Sequence, residues 1–199
     1  MSEQVEGATV VEGSPAEDDL AAAECALVER CRLGDEGAFD DLISRHRTRA
    51  IALAYHLLGD REAAEDVAQD AFVRVFLRIR SLRGNGAFAS WLRRIVVRIC
   101  LDHARRRGST EVELAANPEL AVPAGDPAAT VAVRHILDRL SPKLRVVLVL
   151  RDIEGMDYNT MSETLSIPVG TVRSRLSAAR LTFKDLYRAQ MLEGEEDLP

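Results

Sequence analysis

The sequence predicts an all-α chain of two small helical domains joined by a flexible linker. Three observations carry this. Apolar residues recur at i, i+3 and i+4 over most of the 199 residues. Aromatics make up only 5% of the chain, while Ala, Leu, Arg and Val dominate, which favours aliphatic helix seams over a β-rich fold. A stretch holding Pro118, Pro123, Gly125 and Pro127, poor in large apolar residues, parts one set of helices from another. A hydrophobic content of 47% is ample for packed cores.

The elements follow in order. Residues 1–23 are acidic, with Gly7, Gly13 and Pro15 among them, and read as a disordered tail. Helix signals begin near Ala22 and stop at Gly34. Asp35 is a good N-cap for a second helix, whose apolar positions are Phe39, Leu42, Ile43, Ile51, Leu53, Ala54 and Leu57. Gly59 ends it and Asp60 caps a third. There Ala64, Val67, Ala68, Ala71, Phe72, Val75, Phe76 and Ile79 form an apolar stripe opposite Glu62, Glu65, Asp66, Gln69, Asp70 and Arg74. Arg83-Gly84-Asn85-Gly86 reads as a loop. A fourth helix, from about Ala87 to Arg107, turns Trp91, Leu92, Ile95, Val96, Ile99 and Cys100 to a core and arginines to the other side. Gly108 closes the first domain, residues 24–107, and the linker spans 108–127. The second domain, 128–190, carries helix signals near 128–140, 142–154, 158–165 and 169–190, the second opened by Ser141-Pro142. Residues 191–199 form an acidic C-terminal tail.

The formal charge of −6 hides an asymmetry. Residues 1–23 hold six acids and residues 193–199 hold four, with no Lys or Arg in either. Without them the body has 22 acids against 26 bases. Arginines cluster at Arg93, Arg94, Arg98 and Arg105–Arg107, and again at Arg173, Arg175 and Arg180, a footprint of nucleic-acid binding. The acidic ends either solubilise the chain or fold back on these basic faces. The polar, acidic N-terminus has no signal-peptide pattern, and no apolar run reaches the length of a membrane span, so a cytoplasmic protein with no direct membrane insertion is expected. Cys25, Cys31 and Cys100 fit reduced thiols. His46, His56, His103 and His135 are dispersed, no catalytic triad or phosphate-cradling loop can be assigned, and no enzyme, cofactor or metal is expected. Cys100 and His103 lie three apart on a helix, but a buried structural Cys is the better reading.

The sharpest signal is Ile167-Pro-Val-Gly-Thr-Val-Arg-Ser-Arg-Leu176. A short helix precedes it, Ser166 to Pro168 break that helix, and a second opens at Val169. Thr171, Arg173, Ser174 and Arg175 at its start suit a helix that enters the DNA major groove. Arg forks onto a guanine edge or a phosphate, and hydroxyls donate to phosphate.

Together these features resemble a sigma factor of the small, two-domain extracytoplasmic-function group of the sigma-70 family. The resemblance rests on Asp66-Val-Ala-Gln-Asp-Ala-Phe72, on Arg83-Gly-Asn-Gly-Ala-Phe-Ala-Ser-Trp-Leu92 through Arg107, and on Ile167 to Arg180, in that order with a Pro-rich linker before the third. It implies sigma region 2 in the first domain and sigma region 4, with its helix-turn-helix, in the second. It implies binding to core RNA polymerase (β′ and β subunits) and to promoter DNA, with an anti-sigma factor as a further partner. By resemblance Asp66, Gln69 and Asp70 contact a coiled coil of β′. Arg83, Gly84, Asn85 and Gly86 form a pocket for an unstacked −10 base, with Arg93, Arg94 and Arg98 on the strand's phosphates. Phe88 and Trp91 either stack on bases or pack in the core. Thr171, Arg173, Ser174 and Ser177 read the −35 element, while Arg175 and Arg180 grip the backbone. The chain departs from the family at Arg98, where Asn is common, and at Thr160-Met161-Ser162, where Glu-Ile-Ala is common. Ser166 stands where a turn Gly is common, and Ser carries a steric cost at φ > 0. A dimeric helix-turn-helix repressor is the main rival, but it has no need of the Asp-x-x-Gln-Asp helix or the Arg-Gly-Asn-Gly loop.

Overall fold

The computed structural model describes residues 15–82, 88–106 and 127–196, with side chains left out at 15–18, 127–130 and 191–196. Among these residues there is no strand. The helices are α1 (Pro15–Arg32), α2 (Glu36–Leu58), α3 (Arg61–Arg78), α4 (Phe88–Arg106), α5 (Pro127–Arg139), α6 (Pro142–Leu148), α7 (Tyr158–Leu165) and α8 (Val169–Glu196). A 3₁₀ turn, Ile79–Ser81, follows α3, and a π-helical turn, Val149–Ile153, follows α6. The second helix of the C-terminal half was expected to be continuous over 142–154; the backbone switches from α to π spacing at Val149 instead.

The helix boundaries have local causes. Asp35 and Asp60, in extended conformation, accept from the N–H groups of Ala38 and Ala63 at 3.0 and 3.1 Å and satisfy donors that the first turn leaves open. Gly59 closes α2 at φ 82, a left-handed conformation favourable to Gly. Two ends differ from expectation. α1 begins at Pro15, so residues 15–23 are helical rather than tail; proline is pre-set for the first position of a helix, and the alanines at 21–23 sustain it. α8 continues to Glu196, past the expected stop at 190, since no Pro lies between 190 and 196 and the one glycine of that stretch, Gly194, is tolerated within a long helix. Residues 1–14, most of the linker and 197–199 lie outside the described residues.

The N-terminal half packs α2 against α1, α3 and α4, with α3 against α4. Leu42, Leu53, Ala54, Ala64, Ala71, Val75, Val96 and Val97 are buried at its centre. Phe76 departs from the predicted stripe. It is 57% exposed and meets Phe39 edge-on at 5.1 Å between centroids. In the C-terminal half α8 packs on α5, α6 and α7 around Ile136, Leu137, Val147, Val149, Leu150, Met161 and Val172. The two halves touch. α4 packs on α7, and α2 meets α6 and the π turn. Arg134 of α5 lies over the Tyr55 ring at 3.8 Å and donates to the Tyr55 carbonyl at 2.7 Å.

Candidate nucleic-acid and polymerase interfaces

α7, the Ser166 turn and α8 form the helix-turn-helix. Asp157 caps α7 by accepting from the N–H groups of Asn159 and Thr160 at 2.9 and 3.0 Å and from Thr160 Oγ1 at 2.6 Å. These hydrogen bonds hold the Asp157 carboxyl below its ordinary pKa. Ser166 ends α7 in the left-handed conformation, φ 54 and ψ 45, the only described non-glycine residue with positive φ. The turn therefore has the geometry that favours Gly and carries a side chain anyway. Its neighbour Ser162 closes it, with Oγ donating to the Ile167 carbonyl at 2.6 Å. The hydroxyls of Thr160 and Ser162 thus each make a local bond. Met161 between them is fully buried.

This turn aims α8. Val172, Leu176 and Ala179 are buried, which leaves Arg173, Ser174, Ser177 and Arg180 exposed. Thr171 and Arg175 are half-buried, and Ser174 Oγ donates to the Thr171 carbonyl at 3.1 Å. Arg173 and Arg151 both approach the Tyr158 ring, at 5.7 and 5.0 Å. Arg180 is held by Asp152 in a two-pronged pair at 2.5 and 3.1 Å, which raises its pKa further. Its guanidinium thus ties α8 to the π turn. Sequence spacing did not anticipate this partner, 28 residues away.

On α4, Arg83, Gly84, Asn85 and Gly86 fall outside the described residues. Phe88 is 1% exposed and meets His46 edge-on at 4.9 Å and Trp91 at 6.3 Å; Trp91 is half-buried. Of the two open readings for Phe88, the structure has it packed in the core. Arg98 is exposed. Arg93 donates to the Glu154 carbonyl at 3.1 Å with the Glu154 carboxylate at 3.7 Å, and Arg94 lies 3.8 Å from the Glu163 carboxylate.

On α3, Asp66, Gln69 and Asp70 are exposed together along one face. Beside them run Val73, Phe76 and Leu77, 53%, 57% and 73% exposed. An acidic strip thus continues into a bare apolar one on a helix whose other face is buried. Sequence reading assigned Phe76 to the core and passed over Val73 and Leu77. The available signal was that α3 has more apolar positions than a single face can bury.

Beneath these surfaces lie groups tuned by burial. Desolvation pulls the His46 pKa below 6.5 more strongly than Glu24, 3.5 Å away, lifts it, so the imidazole is neutral at pH 7 and the contact is not an ion pair. Burial and Arg134 likewise lower His56. Burial pushes the Cys100 thiol up to about 12, which makes it inert as a nucleophile. Among the described residues no group of three or more His, Cys, Asp or Glu is placed to hold a metal ion.

The family profile for sigma-70 region 2 matches residues 42–110, and that for sigma-70 region 4 matches 130–183. The chain is a sigma factor of the sigma-70 family. The ECF RNA polymerase sigma factor SigE of Mycolicibacterium smegmatis is 37% identical over 164 residues, 76% of this chain and 63% of that protein, so this sigma factor spans less than two thirds of that relative. The RNA polymerase sigma-H factor of Pseudomonas aeruginosa is 33% identical over 172 residues, covering 77% of this chain and 88% of the relative. The fold matches that of the sigma factor RpoE from Bartonella quintana, solved with the anti-sigma factor NepR, with a TM-score of 0.63 over 75% of this chain and 96% of the other at 23% identity. CnrH, solved with the cytosolic domain of CnrY, matches with a TM-score of 0.62 over 84% and 98% at 26% identity. Sigma region 2 therefore falls on α2 through α4 and sigma region 4 on α5 through α8. The sigma factor belongs to a family of transcription regulators. No helix among the described residues is long and apolar enough to cross a membrane.

Proposed function

We propose that this sigma factor works in the cytoplasm and divides its labour by helix. The division has α3 docking on core RNA polymerase, the segment from Arg83 through α4 handling the −10 element, and the start of α8 reading the −35 element in intact duplex. The boundaries that go with it are a −10 half ending near residue 107, a linker over 108–127 and a −35 half from 128 to about 190. The observation that carries the reading is the exposed face of α8. Arg173, Ser174 and Ser177 are exposed on a helix that a capped, tightly closed turn holds in place.

On α3, Asp66, Gln69 and Asp70 supply charge complementarity toward a basic surface of the β′ subunit, and Val73, Phe76 and Leu77 supply apolar area beside it. On α4, exposed Arg98 serves strand phosphates and half-buried Trp91 meets a base, while Phe88 packs against Trp91 in the core. Arg175 and Arg180 serve the −35 reader from its flank, Arg180 through its pair with Asp152. A regulatory partner of the anti-sigma type is part of the proposal, as the sigma factor RpoE of similar fold was solved with the anti-sigma factor NepR. Neither a metal nor a cofactor is invoked.

The test compares two variants. Asp66→Ala with Phe76→Ser is expected to weaken capture of core polymerase about tenfold or more while leaving duplex binding by the −35 reader intact. Arg173→Ala is expected to do the reverse. Loss of duplex binding in the α3 variant would overturn the division.

A further inference from the structure

One aromatic ring stands beside the exposed face of α8. Tyr158 is the first residue of α7 and is half-buried, its ring packed against the buried core. Two guanidinium groups approach that ring. The Cζ of Arg151, from the π turn, lies 5.0 Å from the ring centroid, and that of Arg173, from the start of α8, lies 5.7 Å away. Both are within the range at which an aromatic face attracts a cation. We propose that Tyr158 is a positioning residue for the −35 reader: its ring holds the Arg173 guanidinium where it meets a base edge, without itself touching DNA. This rests on the assignment of Arg173 under Proposed function.

The surroundings of the ring are fixed. The Asp157 carboxylate, bonded to the N–H groups of Asn159 and Thr160, sets the backbone from which Tyr158 projects. Arg151 Nη1 donates to the Met156 carbonyl at 3.0 Å, and Met156 is buried. The next residue, Asp152, holds Arg180 of α8 in its two-pronged pair. The π turn thus delivers one residue to the ring and the next to α8. Arg173 is the loose member of the group. It is exposed, and among the described residues no hydrogen bond or ion pair holds its guanidinium, so the ring is its brace.

The brace matters because of what an arginine loses on binding. A free guanidinium on a helix surface samples many rotamers and gives up that freedom when it meets a ligand. A ring that already attracts it lowers this cost. Aim matters too, since the fork must face both acceptors of a guanine to pair with them. Arg151 narrows the range further. It is a standing positive charge at the same ring, so Arg173 gains from the ring and is repelled from the side where Arg151 lies. Leucine at position 158 would keep most of the apolar burial and lose the ring, whereas phenylalanine would keep the ring and lose only the hydroxyl.

The test uses the full chain assembled with bacterial core RNA polymerase, unaltered and as Tyr158→Phe, Tyr158→Leu, Arg173→Ala, and Tyr158→Leu with Arg173→Ala. Each form selects from a pool of randomised duplex DNA, and sequencing of the bound fraction gives the base preference at every position. Thermal unfolding of each chain checks the fold. Arg173→Ala is expected to erase the preference at the base it reads. Tyr158→Leu is expected to weaken the preference at that same base by about two- to fivefold and to leave the other positions alone. Tyr158→Phe should select as the unaltered chain does, and Tyr158→Leu should change nothing further once Arg173 is alanine. Full preference at that base in Tyr158→Leu would overturn the brace. So would a Tyr158→Phe variant that behaves like Tyr158→Leu, because the hydroxyl and not the ring would then act. Equal weakening at every position, with a lowered unfolding temperature, would reduce Tyr158 to a packing residue. If Arg173→Ala erases no preference, or no form selects DNA, the −35 reading of Arg173 fails and the brace falls with it.

Discussion

The two arginine-bearing helices of this sigma factor look alike in sequence and differ in what they face. α8 turns Arg173, Ser174 and Ser177 to solvent. α4 turns Arg93 and Arg94 to the carboxylates of Glu154 and Glu163, and leaves Arg98 exposed. A cluster of arginines therefore fixes where positive charge resides, while the tertiary neighbour decides whether that charge is free for a ligand. The arginine at the start of α8 is exposed, while on α4 Arg93 is held by Glu154 and Arg94 and Arg98 stay exposed.

The largest expected effect tests the open side. Arg173→Ala should cost about 1–3 kcal/mol of promoter binding, on the order of tenfold to a hundredfold, because a forked base or phosphate contact is lost with no protein partner to compensate. Gel-shift titration on a bound promoter fragment measures it, and unchanged affinity would show that α8 reads DNA with other residues. Asp157→Ala should come next. It removes three bonds that fix α7 under α8, so thermal unfolding is expected to fall by a few degrees or so and −35 binding to weaken with it. The Asp157 carboxyl is held below 3.8, so its contribution is present at neutral pH and is lost as pH falls through that depressed value. Equal acid sensitivity in the variant and the parent would sink that role.

Ser166→Gly should act in the opposite direction. Relief of a left-handed side chain at φ 54 is expected to raise stability by about 0.5–1 kcal/mol, read in denaturant titration, with −35 binding unchanged. A loss of stability would mean that the serine hydroxyl matters more than the strain. The smallest effect falls on the covered side. His46 and His56 have pKa values below the usual 6.5, so between those values and 6.5 the unfolded chain binds more protons than the folded one. Stability is then full above about pH 6.5 and declines as the pH drops below it. Glu24, Arg45 and Arg49 surround His46, and Arg134 faces His56. His46→Gln should flatten the decline, and an unchanged slope would remove His46 from the account.

Much of this was legible from local chemistry. Asp35, Gly59 and Asp60 marked helix ends because capping is a matter of neighbouring residues. The helix-turn-helix was legible because breaker residues sit between two amphipathic runs. What escaped were relations set by distance along the chain. Phe76 looks like a core residue until the crowded opposite face of α3 leaves it outside, beside Val73 and Leu77. Nothing in the sequence announces that Arg180 pairs with Asp152 or that Arg93 donates to the Glu154 carbonyl. The π turn at Val149–Ile153 has no cap or breaker to announce it. The early start of α1 reads as a tail by charge and as a helix by its proline and alanines, and the helix prevails.

The most direct measurement is promoter-directed transcription in vitro, with the purified chain added to bacterial core RNA polymerase and a pool of upstream DNA fragments. The account predicts discrete start sites that depend on the chain and share two upstream elements, with initiation lost in the Asp66→Ala, Phe76→Ser variant. Sequence-specific duplex binding without any initiation would contradict it.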